Sequence, residues 1–356
     1  MTTMRAVQLV ATGQPLELRE VERPEPGPGE IRVRVLAAGI CHSDAHYRAG
    51  TAGVAFLPIT LGHEIAGEVD ALGPGVDRVA VGDRVAVHYL FTCGDCEYCI
   101  QGLEQFCGKG RMVGKHAHGG YAEYVVAPAR NAIPIAQSVS PQVAAIMMCS
   151  TSTAFHALNK ARVAAGDRVA VFGAGGLGMS AIQLAQACGA AQVFAVDVDS
   201  AKLVAARGYG AVPVDARQGP ADKQLLDLTA GRGVDVALEF TGVPEVQTQA
   251  VGALAVQGRL ALAGITATPF AVPSYPTVIG REVEIVGVSD HRRSELVTLM
   301  GFAERGVLDL ESVITDQAPL DAGAINERLD ALAEFRGRTR SVILPARGGR
   351  REGGKA

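Results

Sequence analysis

The sequence predicts an α/β protein in two parts: a β-rich domain from residues 1–152 with 290–346, and a doubly wound parallel sheet over residues 153–289. Three features carry this expectation. Residues 1 to about 150 read as short strands broken by turns. Beyond about residue 153, continuous apolar strands alternate with helix-length segments, the pattern of βαβ units. A glycine-rich run, Gly173-Ala174-Gly175-Gly176-Leu177-Gly178, falls directly between an apolar strand and a helix. At 356 residues the chain is long for one domain and suits two.

Taken in order, Pro24, Pro26, Gly27, Pro28 and Gly29 make a rigid, turn-rich lead into the first clear strand, Glu30 to Val35, which alternates polar and apolar residues. Ala66 to Val69 and Asp83 to Val87 follow as strands, separated by Gly73-Pro74-Gly75 and Val81-Gly82-Asp83. A helix is expected over Ser152 to Arg162. Arg168 to Phe172 is an apolar strand suited to a sheet covered on both faces. Helix Leu177 to Cys188 and strand Gln192 to Val196 continue the alternation. Later strands are expected at Asp235 to Glu239, Arg259 to Ala263 and Val283 to Gly287. Helix Ser294 to Glu304 and strand Ser341 to Leu344 close the chain, and the glycine- and charge-rich tail 347–356 is expected to be disordered.

Composition narrows the function classes. A net charge of −4 gives no reason to expect nucleic acid or an anionic membrane as partner. No run of about 18 apolar residues suggests a membrane span, and the N-terminal residues lack the apolar stretch of a secretory signal, so a cytoplasmic location is expected. The seven cysteines do not read as disulfides, because their number is odd and four of them crowd together.

Those four are Cys93, Cys96, Cys99 and Cys107, in the pattern C-x2-C-x2-C-x7-C. Four thiolates so spaced can close tetrahedrally on zinc, and the residues between them are too few and too polar to make a core. An iron–sulfur cluster is the competing reading, since C-x2-C-x2-C also serves ferredoxins. No second cluster motif is present, which favours a structural zinc.

The glycine run allows a tight turn and a close approach to a pyrophosphate at a helix N-terminus. Alone it is equally a βαβ turn without ligand. Asp197, about 20 residues past the loop at the end of the next strand, is placed to accept hydrogen bonds from an adenosine ribose. Its carboxylate would repel a 2′-phosphate, and Val198, Asp199 and Ser200 offer no arginine to hold one. NAD is expected over NADP.

Three further runs matter: Cys41-His42-Ser43-Asp44-Ala45-His46, Gly62-His63-Glu64, and Met147-Met148-Cys149-Ser150. They offer two thiols and an imidazole, a set that would leave a zinc ion one open position. Taken singly, each reads as well as a core residue. Cys188, at a helix end, keeps that plainer reading.

With these motifs in order, the chain resembles the zinc-dependent medium-chain alcohol dehydrogenases from about residue 5 to 345. The resemblance implies a GroES-like catalytic domain and a Rossmann nucleotide-binding domain. It assigns Cys41, His63 and Cys149 to a catalytic zinc, with Asp44 orienting His63 and Glu64 near the metal. Ser43 would take the substrate hydroxyl proton and pass it through the nicotinamide ribose towards His46. His42 and Arg340 would contact the pyrophosphate, Lys202 the adenosine ribose, and Gly173, Gly175, Gly176, Leu177, Gly178 and Asp197 the rest of the dinucleotide. The implied activity is reversible hydride transfer between a small or medium alcohol and NAD, with two zinc ions per chain. A polyol or amino-alcohol dehydrogenase on the same scaffold is the nearer alternative, and a non-catalytic zinc- and nucleotide-binding protein the further one.

The resemblance also implies a homo-oligomer, a tetramer ahead of a dimer, paired through Val283 to Val288. His88, Tyr89, Leu90 and Phe91 fall where the family has residues beside the substrate, although each is as suited to filling a core. His116 and His118 read as exposed loop histidines.

Overall fold

A computed structural model describes residues 2–334 and 339–345 of the chain, and the expected disordered tail lies outside them. The chain forms two compact units. The first takes in the residues up to Cys149, Leu296–Glu304 and the stretch from Ile314 onward; the second takes in Ser150–Glu295 and Arg305–Val313. The expected cut at 152/153 compares with 149/150 here, and that at 289/290 with 295/296.

In the first unit the central strand is Glu30–Ile40. It runs five residues beyond the expected Val35, because the alternation gives way to Leu36-Ala37-Ala38-Gly39-Ile40, whose last four residues are all buried. This strand pairs antiparallel with Glu64–Leu72, Tyr124–Pro128 and Arg340–Leu344. The main path of its sheet runs Ala132–Pro134, Arg84–Val87, Glu64–Leu72, Glu30–Ile40, Arg340–Leu344, Ile314–Pro319. Val33, Val35, Ile65, Val69, Val85, Val87 and Ile343 form its core, each contributing about 1.5–3 kcal/mol by leaving water.

Register decides what this sheet presents at one end. Gly39 pairs with Glu64, and Ser341 pairs with Ile40. Cys41, just past the central strand, therefore lies beside His63, just before the next, and Arg340 arrives at the same corner from the third.

The second unit holds a six-stranded parallel sheet in the order Val212–Asp215, Gln192–Asp197, Arg168–Phe172, Val234–Glu239, Leu254–Leu262, Glu284–Gly287. Chain order doubles back at Arg168–Phe172, which pairs with both Gln192–Asp197 and Val234–Glu239. In an open parallel sheet, ligands bind at the carboxyl ends beside such a reversal. The residues after Phe172 are the glycine run.

A buried polar staple fixes one edge of this unit. Glu295, 8% exposed, accepts hydrogen bonds from His156 Nδ1 at 2.9 Å, from Asn159 Nδ2 at 2.9 Å and from the backbone N–H of Arg292 at 2.8 Å. Burial opposes the charge, but these three donors outweigh it and hold the carboxyl below its ordinary 4.5. A lowered folded-state pKa stabilises above the unfolded value and is lost as pH falls through the folded one. Glu295→Gln is therefore expected to destabilise the protein by about 1–3 kcal/mol at pH 7, with the deficit shrinking below about pH 4.5. Denaturant titrations of both proteins at pH 7 and pH 4 check this; a deficit that grows on acidification would contradict it.

Candidate active site

At the corner described above, ligand atoms of Cys41, His63, Glu64 and Cys149 all lie within 4.8 Å of one another. His63 and Glu64 are fully buried and Cys41 is 6% exposed. Both ring nitrogens of His63 are buried with no hydrogen-bond partner, as is Glu64 Oε1. A buried imidazole nitrogen left unbonded beside two thiols fits a metal ligand, since an orphaned buried polar atom is otherwise costly. The donor set is two sulfurs and one nitrogen, which suits zinc.

Asp44 sets the orientation of His63. It is fully buried, and its Oδ1 lies 3.4 Å from His63 Nδ1. Oδ1 accepts the Gly62 N–H at 3.2 Å, while Oδ2 accepts the Cys41 N–H at 3.1 Å and the Tyr121 hydroxyl at 2.9 Å. Burial works against a charged His63, but Asp44 and the Cys41 sulfur outweigh it and raise its pKa well above the ordinary range. The hydrogen bond from Cys149 is the largest influence on Cys41 and draws that thiol well below its usual value, with His63 and Arg340 helping against burial. The same bond, with burial of the thiol, holds Cys149 well above it. Burial, opposed chiefly by Arg340, pushes Glu64 up to about 7.

Arg340 is 5% exposed, and its Nη2 pairs with Glu64 Oε2. The guanidinium that the resemblance assigns to a pyrophosphate is thus held inside the first unit by Glu64. Around Cys41, the helix His42–Ala49 begins at once. Ser43 Oγ lies 3.8 Å from Cys41 Sγ. His42 and His46 stack with ring centroids 4.8 Å apart, and His46 Nδ1 meets Thr51 Oγ1 at 3.0 Å. Burial, with repulsion from His46, keeps the His42 imidazole below its ordinary pKa.

Cys149 is delivered by a feature that residue patterns did not reveal. Met147–Thr151 is a π-helical turn inserted between the helices Pro141–Ile146 and Ser152–Lys160. Such a turn adds a residue to the helical repeat and rotates the face on which a side chain emerges. Met147 and Met148, the turn's first two residues, stay fully buried, while Cys149 is half-buried.

The second cysteine group forms a lobe of its own. Sulfurs of Cys93, Cys96, Cys99 and Cys107 lie within 4.8 Å of one another, with Cys93–Cys107 at 3.5 Å and Cys93–Cys99 at 3.9 Å. Four sulfurs at about 2.3 Å from a tetrahedral zinc stand roughly 3.8 Å apart, so the spacing fits. From residue 92 to 110 only Cys107 is buried. The lobe has no apolar core to hold it.

In the second unit, the helix Gly176–Ala187 starts from Gly175 with no side-chain cap, leaving its first N–H groups for an anion. A Cβ on Gly178 would meet the Gly173 carbonyl oxygen at 2.0 Å, which is why the helix can start so close to the strand. Asp197, half-buried at the end of its strand, accepts N–H groups from Ala174 at 2.7 Å and Asp199 at 2.9 Å. Loop and acid are therefore one structure. Lys202 stands half-buried in the first turn of the helix Ser200–Gly208.

Of the residues before the cysteine lobe, His88 and Tyr89 are each 1% exposed and belong to the core, whereas Leu90 and Phe91 are half-buried. The Tyr89 ring meets His63 edge-on at 5.3 Å. His116 is half-buried rather than exposed. Both loop histidines accept backbone N–H groups, His116 from Met112 and His118 from Thr60.

Known proteins share this arrangement. Residues 27–137 match the alcohol dehydrogenase GroES-like domain, and residues 176–305 match the zinc-binding dehydrogenase domain. An NAD-dependent alcohol dehydrogenase of Saccharolobus solfataricus is 33% identical over 96% of this chain and 100% of its own length. This chain belongs to the zinc-dependent medium-chain alcohol dehydrogenase family. It is an oxidoreductase by that membership. An L-threonine 3-dehydrogenase of Pyrococcus horikoshii is 32% identical over 88% of this chain and 90% of its own. The crystal structure of an NAD-dependent alcohol dehydrogenase superposes with a TM-score of 0.89 at 35% identity, covering 96% of this chain and all of that one. The GroES-like and Rossmann parts expected of the family are thus both present.

Proposed function

We propose that this family member is a cytoplasmic, homo-oligomeric enzyme that moves hydride reversibly between a small or medium primary or secondary alcohol and NAD, using one catalytic and one structural zinc per chain. The buried cluster of Cys41, His63 and Cys149, with an unbonded His63 Nε2, carries this reading. Zinc held there would supply a Lewis acid for making a hydroxyl more acidic or polarising a carbonyl. Asp44 keeps the His63 ring turned for that role. Glu64, tied to Arg340 through one oxygen and unbonded at the other, would stand beside that metal.

Ser43 takes the substrate hydroxyl proton and His46 receives it on the exposed side, so that the metal corner stays dry. His46→Gln is expected to slow turnover mainly on the acid side of the pH–rate profile while leaving zinc content intact. An unchanged profile would remove His46 from the relay.

His42, Arg340, the 173–178 loop, Asp197 and Lys202 are assigned to the dinucleotide. NAD is favoured over NADP because the carboxylate of Asp197 meets the adenosine ribose, and the nearby Arg217 is engaged twice by Asp215, at 2.9 and 2.7 Å. The exposed edge strand Glu284–Gly287 is the surface proposed to pair subunits, in a tetramer ahead of a dimer. A polyol or amino-alcohol substrate is the second reading, favoured by the likeness to an L-threonine 3-dehydrogenase. Cysteine at 149, where polyol relatives commonly offer a carboxylate, weighs towards simple alcohols. A panel of simple, polyol and amino alcohols, each run with NAD and with NADP, separates these readings.

A further inference from the structure

We infer that Tyr121 is a positioning residue for the metal corner, acting on zinc affinity through Asp44; this rests on the assignment of Cys41, His63 and Cys149 to zinc. Tyr121 is fully buried and lies 58 residues beyond His63 in sequence. Its backbone runs beside the His63 segment: Gly119, Gly120 and Tyr121 donate N–H bonds to the carbonyls of Thr60, Gly62 and Leu61 at 2.8, 2.7 and 3.0 Å. Its own carbonyl accepts the Val7 N–H at 2.8 Å. The residue is therefore fixed at both ends of its peptide unit.

Its ring and its hydroxyl act on different parts of the corner. The ring lies against Gly62, whose φ of +89° and lack of a side chain permit the contact; a Cβ there would meet Tyr121 Cδ1 at 2.3 Å. Gly62 precedes His63, so the ring sets the path by which that ligand enters. The hydroxyl donates to Asp44 Oδ2 at 2.9 Å.

Asp44 is a fully buried carboxylate that no lysine or arginine bonds among the described residues, so its charge rests on His63 and the donors that surround it. Oδ2 takes the Tyr121 hydroxyl and the Cys41 N–H; Oδ1 takes the Gly62 N–H and faces His63 Nδ1. Without the Tyr121 hydroxyl, Oδ2 keeps only the Cys41 bond at 3.1 Å. The carboxylate can then turn about its Cβ–Cγ bond, and the orientation it imposes on His63 loosens. Outer partners of a metal-bound histidine commonly change metal affinity by 10–100-fold. Tyr121, one contact further out, should change it by about 5–10-fold.

The test is Tyr121→Phe, which removes one oxygen and keeps the ring on Gly62. Zinc dissociation constants of both sites are measured by competition with a chromophoric chelator, alongside the melting temperature. Weakening of the Cys41–His63–Cys149 site by about 5–10-fold is expected, with the four-cysteine site unchanged as an internal reference. In the Asp44→Asn background the same change should have no further effect, because Tyr121 acts through that carboxylate. A lower melting temperature with both zinc affinities unchanged, or additive effects in the double variant, would overturn the inference while leaving the zinc assignment standing. A wild-type chain that binds zinc only at the four cysteines would overturn both.

Discussion

His63→Ala is expected to reduce alcohol-dependent NADH formation by at least about 10³–10⁴-fold, since a metal's charge stabilisation is worth several kcal/mol. Zinc content should fall from two ions per chain to one, because two thiols alone do not complete the site. NADH binding should survive: the glycine loop, Asp197 and Lys202 all lie in the second unit, built on its own sheet. The substitution leaves a cavity beside Tyr89 and an Asp44 carboxylate without its histidine, which adds about 2–4 kcal/mol of destabilisation. Enzyme assay, metal analysis and NADH fluorescence on one preparation separate these effects. Near-normal turnover in the variant would remove His63 from the ligand set.

Cys107→Ser should have the larger effect on stability. Only Cys107 is buried between residues 92 and 110, the helix Glu97–Ile100 has four residues, and Tyr98, Ile100 and Phe106 are exposed. No buried apolar core holds this lobe together, so a metal bound by the four cysteines would supply its folding free energy, on the order of 10 kcal/mol in small zinc domains. Loss of the ion is expected to lower the melting temperature by about 10 °C or more and to open the 93–110 segment to limited proteolysis. Iron in place of zinc in the wild-type lobe would contradict the assignment, as would a variant that melts with the wild type.

Sequence reading reached the parts whose chemistry is local. The strand Arg168–Phe172 stands where the apolar run placed it, and the four cysteines meet as their spacing required. Local pattern failed where distant pairing decides the outcome. The edge strand Val212–Asp215 carries Pro213, which argues against a strand unless one side is unpaired, as it is here. The helix Ala322–Ala333 is legible in the residues, with Ile325, Leu329 and Leu332 at i, i+4 and i+7, yet is missing from the expected elements above.

The site shows the same division. Cys41, His63 and Cys149 carry no mark of partnership in their own neighbourhoods; the resemblance joined them, and in the fold the pairing of Gly39 with Glu64 sets Cys41 beside His63 while the π-turn delivers Cys149. The π-turn at Met147–Thr151 left no trace in an apolar run that reads equally as a plain helix. Nor could the pairing of Arg340 with Glu64 be read from residues 276 positions apart.

The most direct test of the account is a single assay: NADH formation from NAD across simple primary and secondary alcohols, run on protein whose zinc content is measured in the same preparation. Two zinc ions per chain are expected, with turnover of at least one simple alcohol that is lost when zinc is chelated and restored when it is returned. Protein that carries both zinc ions and binds NADH, yet forms none from any simple, polyol or amino alcohol, would contradict it.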